Sequence, residues 1–183
     1  FGVILGVCGI VLLYQLINPI TAWISVSTIL LYIFVYTPSK RITTWNTIIG
    51  SIPGALPPVG GWTAATGSLE ATAWILFGIL FCWQMPHFFA IALWRLDDYS
   101  RANIPVLPLV RGHHVTKVQM FIYILGLAAL LGCITFVADL GALFLMATLV
   151  VCATWLWLGY KGFGTTCDVR WGKQMFLLEQ HRP

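Results

Sequence analysis

The chain has 183 residues, of which 59% are apolar and 9% charged, with a formal net charge of +4. A soluble domain carries roughly 45–50% apolar and about 25% charged residues, so this chain has too little charge to cover a water-facing surface. A soluble globular domain, a disordered chain and a nucleic-acid-binding module are excluded on that ground.

Residues 1–39 carry no charge, and Asn18-Pro19 divides them into apolar runs at about 1–17 and 20–36. A third run, 45–62, holds Gly50, Pro53, Gly54, Pro57, Pro58, Gly60 and Gly61. Backbone groups freed by those residues need partners, so this helix is expected to be buried among others or to line a cavity. Further runs lie at 71–94, 118–138 and 140–160. Each is near the ~20 apolar residues that cross a bilayer. The expectation is an all-α membrane protein: a multi-pass bundle with six transmembrane helices, in one domain over 1–183. Gly2/Gly6 and Gly50/Gly54 have the G-x-x-x-G spacing that lets helices approach closely. The five cysteines lack C-x-x-C spacing and read as apolar packing residues. The run from Phe1 has no basic region and cleavage site of a signal peptide. The stretch 174–178 reads as the start of another apolar segment, so the chain reads as a piece of a longer one.

The charges support the six spans. Lys40 and Arg41 follow the second, Arg95, Arg101, Arg111 and Lys117 the fourth, and Lys161, Arg170, Lys173 and Arg182 the sixth. All ten Lys/Arg therefore fall on one side, and the opposite turns near Asn18, 61–70 and Asp139 contain none. An excess of Lys/Arg marks the cytoplasmic face, or the matrix face of a mitochondrial inner membrane.

Three places break the apolar pattern. Tyr36-Thr37-Pro38-Ser39-Lys40-Arg41, with Asn46 after it, puts two adjacent cations at a helix end. They serve equally as topology anchors or as an anion site, since Lys and Arg both bind phosphate. The stretch Arg95–Pro105 contains Asp97 and Asp98, two of the six acids, side by side. They either pair with Arg95 and Arg101 or supply hard oxygen ligands, and Mg2+ is commonly held by one or two carboxylates plus substrate phosphates. Trp83-Gln84-Met85-Pro86-His87-Phe88 lies inside the fourth span. Gln84 and His87 are costly against lipid and should face the bundle interior. Gln84, His87, Ile91, Trp94 and Asp98 step by three and four, a single helix face, with His87 about 15 Å below Asp97. His87 is then either a structural histidine bonded to a neighbouring helix or the lining of a cavity for a large apolar substrate. His113 and His114 read as part of a solvated turn.

At these places the sequence resembles the heme-farnesylating branch of the UbiA-type intramembrane prenyltransferases. The matching residues, in order, are Tyr36–Arg41, Asn46-Thr47, Gly54–Trp62, Trp83–Phe88, Asp97–Ala102 and Pro105–Pro108. The W-Q-x-P-H-F element is specific to that branch, whereas Y-x-x-x-K-R is shared more widely. The resemblance implies nine transmembrane helices around a central cavity, of which the six here correspond to the third to eighth. It implies farnesyl transfer from farnesyl diphosphate to a vinyl group of heme b, giving heme O, with Mg2+ as cofactor. It implies metal binding by Asp97 and Asp98, and diphosphate stabilisation by Lys40 and Arg41. It also implies substrate contacts from Tyr36, Asn46, Gln84, His87, Tyr99 and Arg101. A first aspartate-rich motif is expected before Phe1 and a last helix from about Lys173, so the chain alone is expected to be inactive. Asn103 stands where the family usually has Gly, Val106 where it has Met, and Arg101 and Ala102 where a second spaced Asp is sought.

Expected partners are heme b, farnesyl diphosphate, the lipid bilayer, and heme A synthase or oxidase assembly factors; no nucleic acid is expected. The expected location is the bacterial inner membrane, with the mitochondrial inner membrane as the alternative. Competing readings are a UbiA-type enzyme with an aromatic acceptor, a heme-binding electron-transfer subunit and a transporter. An electron-transfer subunit normally pairs axial ligands across helices, and only His87 lies within a span. A transporter built on the broken third helix would need a pathway across, whereas the polar residues gather at one surface and one stripe.

Overall fold

The computed structural model describes residues 1–177. Arg182 and the end of the expected 174–178 apolar segment lie outside the described residues. The helices are α1 (Gly2–Leu16), α2 (Pro19–Ser39), α3 (Asn46–Thr66), α4 (Ala71–Trp94), α5 (Leu96–Arg101), α6 (Leu107–Val137), α7 (Gly141–Gly162) and α8 (Asp168–Leu177). Consecutive long helices pack in a row, α1 on α2, α2 on α3, α3 on α4, α4 on α6 and α6 on α7, while α8 lies against α4 and α7.

All six expected segments are helical, but four of them, α2, α4, α6 and α7, are long and apolar enough to cross a membrane by themselves. Helix α1 has 15 residues, about 22 Å of rise. That is short of a ~30 Å hydrocarbon core. Helix α3 has the length, 21 residues, but its Gly, Pro, Ser and Thr dilute its apolar character. Helix α6 begins at Leu107 rather than 118 because Leu107-Pro108 starts a helical turn ahead of the span. Gly112 interrupts it at φ 82°, a left-handed conformation that glycine adopts without strain. His113 and His114 thus lie on the first turn of the span and not in a loop.

Local chemistry explains the helix ends. Asn18 caps α2, its side chain accepting from the Thr21 N–H at 2.8 Å, with Pro19 at the first helical position. Its amide donates to the Thr63 carbonyl at 2.7 Å, and the Thr21 and Thr63 hydroxyls bond at 2.9 Å. These contacts tie the α1–α2 turn to the far end of α3. At the other end, Asn46 at the start of α3 meets Pro105 ahead of α6, and Lys117 meets the end of α7. The helices therefore alternate in direction, and Lys40, Arg41, Arg95, Arg101, Arg111, Lys117 and Lys161 gather at one end of the row.

Helix α3 sits between α2 and α4, as its prolines require. Ser51, Ala55, Val59 and Thr63, spaced by four, are each at most 1% exposed. Small side chains at that spacing let two neighbours approach one backbone. The core proper lies between α4, α6, α7 and α8, around Met85, Phe89, Leu93, Met120, Ile124, Trp171 and Met175. Helix α1 buries none of its residues.

Candidate functional site

The turn carrying Lys40 and Arg41 is shaped by Pro38. Proline has no N–H and its ring crowds the carbonyl four residues back. Here the helix widens to a π-helical stretch over Leu31–Tyr36, and the Thr37 backbone N–H bonds Tyr32 five residues back. Such wide turns recur at functional sites because they re-aim the side chains beyond them. The Tyr32 and Tyr36 rings meet edge to face at 5.2 Å, and the Lys40 ammonium lies 4.3 Å from the Tyr36 ring centre and 5.5 Å from that of Tyr32. Lys40 is thus held in place by aromatic faces, while Arg41 is exposed.

Asn46 joins this turn to the acidic segment. It is 6% exposed, and its amide donates to the Lys40 carbonyl at 3.5 Å and to the Pro105 carbonyl at 3.4 Å. One buried amide therefore braces the Lys40–Arg41 turn against the chain that follows Asp97-Asp98. Tyr99 lies within electrostatic range of Tyr36, and burial pushes its phenol up, leaving a neutral hydroxyl.

Asp97 and Asp98 occupy the first turn of α5, beyond a break at Arg95 (φ −104°, ψ 30°). The continuous face expected from Gln84 to Asp98 is thus interrupted, because α4 ends at Trp94 and a new axis begins. Asp98 is bonded by Arg101 at 2.5 Å and Arg95 at 3.5 Å. Asp97 is exposed and has no ion-pair partner among the described residues. Of the two readings open for this pair, the ion pairs with Arg95 and Arg101 are formed by Asp98. Arg101 serves here as a partner of Asp98. Asn103 closes the segment at φ 52°, which explains how it occupies a position where glycine is usual: asparagine tolerates the left-handed region better than other side chains.

Gln84 and His87 diverge. Gln84 is 6% exposed, donates to the Leu80 carbonyl at 3.1 Å and packs over Gly54 of α3. His87 points the other way, stacked on Trp83 at 5.2 Å, edge to face with Phe88 at 5.5 Å and 5.1 Å from the Phe176 ring of α8. Along that face, Ile79, Leu80 and Trp83 open onto an apolar cleft of about 670 Å³ closed by Leu127, Leu131 and Trp155. Ligand sites commonly have such volume and walls.

The Gly50/Gly54 pair serves side chains more than helix contact. A Cβ on Gly50 would sit 2.4 Å from the Tyr36 ring, and one on Gly54 2.2 Å from Gln84 Oε1. Gly54→Ala is expected to cost about 1–3 kcal/mol, the usual range for overpacking. A lower thermal midpoint in detergent checks this.

One cluster gave no signal in the sequence. Lys117, 7% exposed, pairs with Asp168 at 2.5 Å and donates to the Gly162 carbonyl at 2.7 Å, and His113 Nδ1 meets the same carboxylate at 2.5 Å. Asp168 and Lys117 are far apart in sequence, so no local spacing marks them. Burial works against the Asp168 carboxylate, but hydrogen bonds and charge from Lys117 and His113 outweigh it and lower its pKa. A lowered folded value means the stabilisation is complete above the usual carboxylate range, about 3.9, and is lost as pH falls through the folded value. The midpoint difference between wild type and Asp168→Asn should therefore be present above about pH 4 and shrink below it. Thermal scans across that range check it.

The UbiA prenyltransferase family model matches residues 1–179. Protoheme IX farnesyltransferase of Protochlamydia amoebophila (strain UWE25) is 42% identical over 176 residues, covering 96% of this chain and 62% of the relative. Protoheme IX farnesyltransferase 1 of Bacillus subtilis (strain 168) is 40% identical over 181 residues, covering 97% and 56%. Protoheme IX farnesyltransferase 2 of Vibrio campbellii (strain ATCC BAA-1116) is 42% identical over 162 residues, covering 88% and 53%. The chain thus spans between 53% and 62% of the length of these curated relatives. No solved structure matches it.

Proposed function

The chain belongs to the UbiA prenyltransferase family, and on that premise we propose that it carries part of the active site of an enzyme that farnesylates heme b to heme O. The observation that carries this reading is the Asn46 bridge, which braces Lys40–Arg41 against the segment following Asp97-Asp98. The relatives' names supply the substrates.

Mg2+ is the cofactor of this reading. The donor chemistry fits: Asp97 offers an exposed carboxylate, with Asp98 beside it in the grip of two arginines. Among the described residues no group of three or more metal-binding side chains forms; Mg2+ is commonly held by one or two carboxylates plus substrate phosphates. When bound, the metal neutralises charge on the diphosphate. Lys40, oriented by Tyr32 and Tyr36, and Arg41 stabilise the negative charge that develops as the farnesyl C1–O bond breaks and diphosphate leaves. The apolar cleft takes the farnesyl chain and excludes water. The faces of Trp83 and Phe88 stabilise the allylic cation. The vinyl π electrons of heme form the new C–C bond, and water adds to the resulting heme-side cation with release of a proton. His87 positions the acceptor, Tyr36 and Tyr99 line the diphosphate end, and Gln84 holds α4 against α3. The charged end faces the cytoplasm of a bacterial inner membrane, and heme A synthase or an oxidase assembly factor receives the product.

The test uses membranes holding the full-length parent, supplied with heme b, farnesyl diphosphate and Mg2+. Extracted heme should gain the mass of one farnesyl group plus one water. Unchanged heme would overturn heme as the acceptor; consumption of the diphosphate alongside it would point to an aromatic one.

A further inference from the structure

We propose that Asp168 is a positioning residue that acts through α8 on the acceptor end of the site; the inference rests on the reading of His87 as the residue that positions the acceptor. The described part of helix α8, Asp168–Leu177, is placed by what it docks against, α4 and α7. Two contacts hold its first half. Asp168 receives the buried Lys117 ammonium and His113, and Lys117 also donates to Gly162 at the end of α7. Trp171 donates to the Leu158 carbonyl at 3.0 Å and lies over Gly162 so closely that a Cβ there would come within 2.3 Å of the indole.

The second half delivers Phe176. Gly172 lets the α8 backbone settle against α4, where a Cβ would stand 3.0 Å from the Ala90 carbonyl. Eight residues after Asp168, about 12 Å along the helix, the Phe176 ring lies 5.1 Å from His87 and 5.6 Å from Trp94. Phe176 is therefore a wall of the His87 slot, and it is placed by an ion cluster at the other end of its helix. A buried ammonium is costly without its carboxylate, so the cluster tolerates one docking geometry of α8 and resists others. Asp168 and Lys117 touch none of the reacting groups; they set where Phe176 stands and hence what shape of acceptor fits against His87.

The experiment compares full-length wild type, Asp168→Asn, Asp168→Glu and Phe176→Ala in lipid nanodiscs. Hydrogen exchange over 168–177 reads the seating of α8, and separate KM values for heme b and farnesyl diphosphate read its consequence. Asp168→Asn should speed exchange about tenfold or more. It should also raise KM for heme roughly two- to tenfold, the worth of one aromatic contact, with KM for farnesyl diphosphate unchanged. Asp168→Glu should recover most of both effects. Phe176→Ala should raise KM for heme similarly while leaving the exchange of 168–171 slow, and it supplies the answer if Asp168→Asn does not fold. Unchanged exchange in Asp168→Asn overturns the latch. Faster exchange with KM for heme unchanged, or equal rises in both KM values, overturns its role in acceptor placement. A wild-type protein that farnesylates no heme overturns the functional reading instead, which the exchange data distinguish because they do not depend on turnover.

Discussion

Asp97→Asn is expected to lower turnover by about a hundredfold to ten-thousandfold while leaving assembly in the membrane intact. The size follows from the several kcal/mol that metal and electrostatic stabilisation of a leaving group supply. Intact assembly follows from position: Asp97 is exposed, on the first turn of a six-residue helix, and braces no packing contact. Replacing one carboxylate oxygen by an amide removes the charge and keeps the shape. Asp98→Asn should cut turnover sharply as well, by a different route, because it also releases Arg95 and Arg101 from their ion pairs. The two variants are told apart by titrating Mg2+. Asp97→Asn should need much more metal for its residual rate. Asp98→Asn should instead show a raised KM for farnesyl diphosphate, since the freed guanidiniums no longer keep one arrangement. Normal product formation in both variants would remove these carboxylates from the reaction.

The second large effect is on stability. Lys117→Met should destabilise the protein by about 3 kcal/mol, the usual consequence of removing one partner of a buried ion pair. Lys117 is 7% exposed and its ammonium serves Asp168, the Gly162 carbonyl and the face of Trp171, 5.3 Å away. Its loss leaves Asp168 with His113 alone among its described ion partners. The double variant Lys117→Met/Asp168→Asn should recover a large part of the loss, because the methionine then fills the site without facing an uncompensated carboxylate. Thermal unfolding of the two single variants and the double variant yields the coupling between them. A double variant as unstable as the sum of the singles would show that the two residues act independently.

These residues also mark how far the sequence could be read. Helix locations followed from charge-free runs, since a bilayer demands long apolar stretches that composition alone reveals. The number of self-sufficient spans did not follow so directly: α1 is short, and α3 is carried by its neighbours rather than by its own hydropathy. Lys40, Arg41, Asp97, Asp98 and His87 were each visible because a polar residue at or within an apolar segment needs a reason to be there. What joins them was not visible. Asn46 reaches Pro105 across 59 positions, and Lys117 reaches Asp168 with no spacing rule to connect them.

The sequence by itself determined the class of molecule, the end of the bundle that carries the charge, and the motifs of a prenyltransferase, because each depends on composition or on short-range spacing. Only the tertiary structure decided that Gln84 and His87 face different helices, that Asp98 is tied to arginines while Asp97 has no ion-pair partner among the described residues, and that α8 brings Phe176 to His87. The physical reason is the same in each case. A side chain's partner is chosen by which backbones can approach one another, and in this bundle Gly54, Gly162 and Gly172 permit those approaches at places that no periodicity announces.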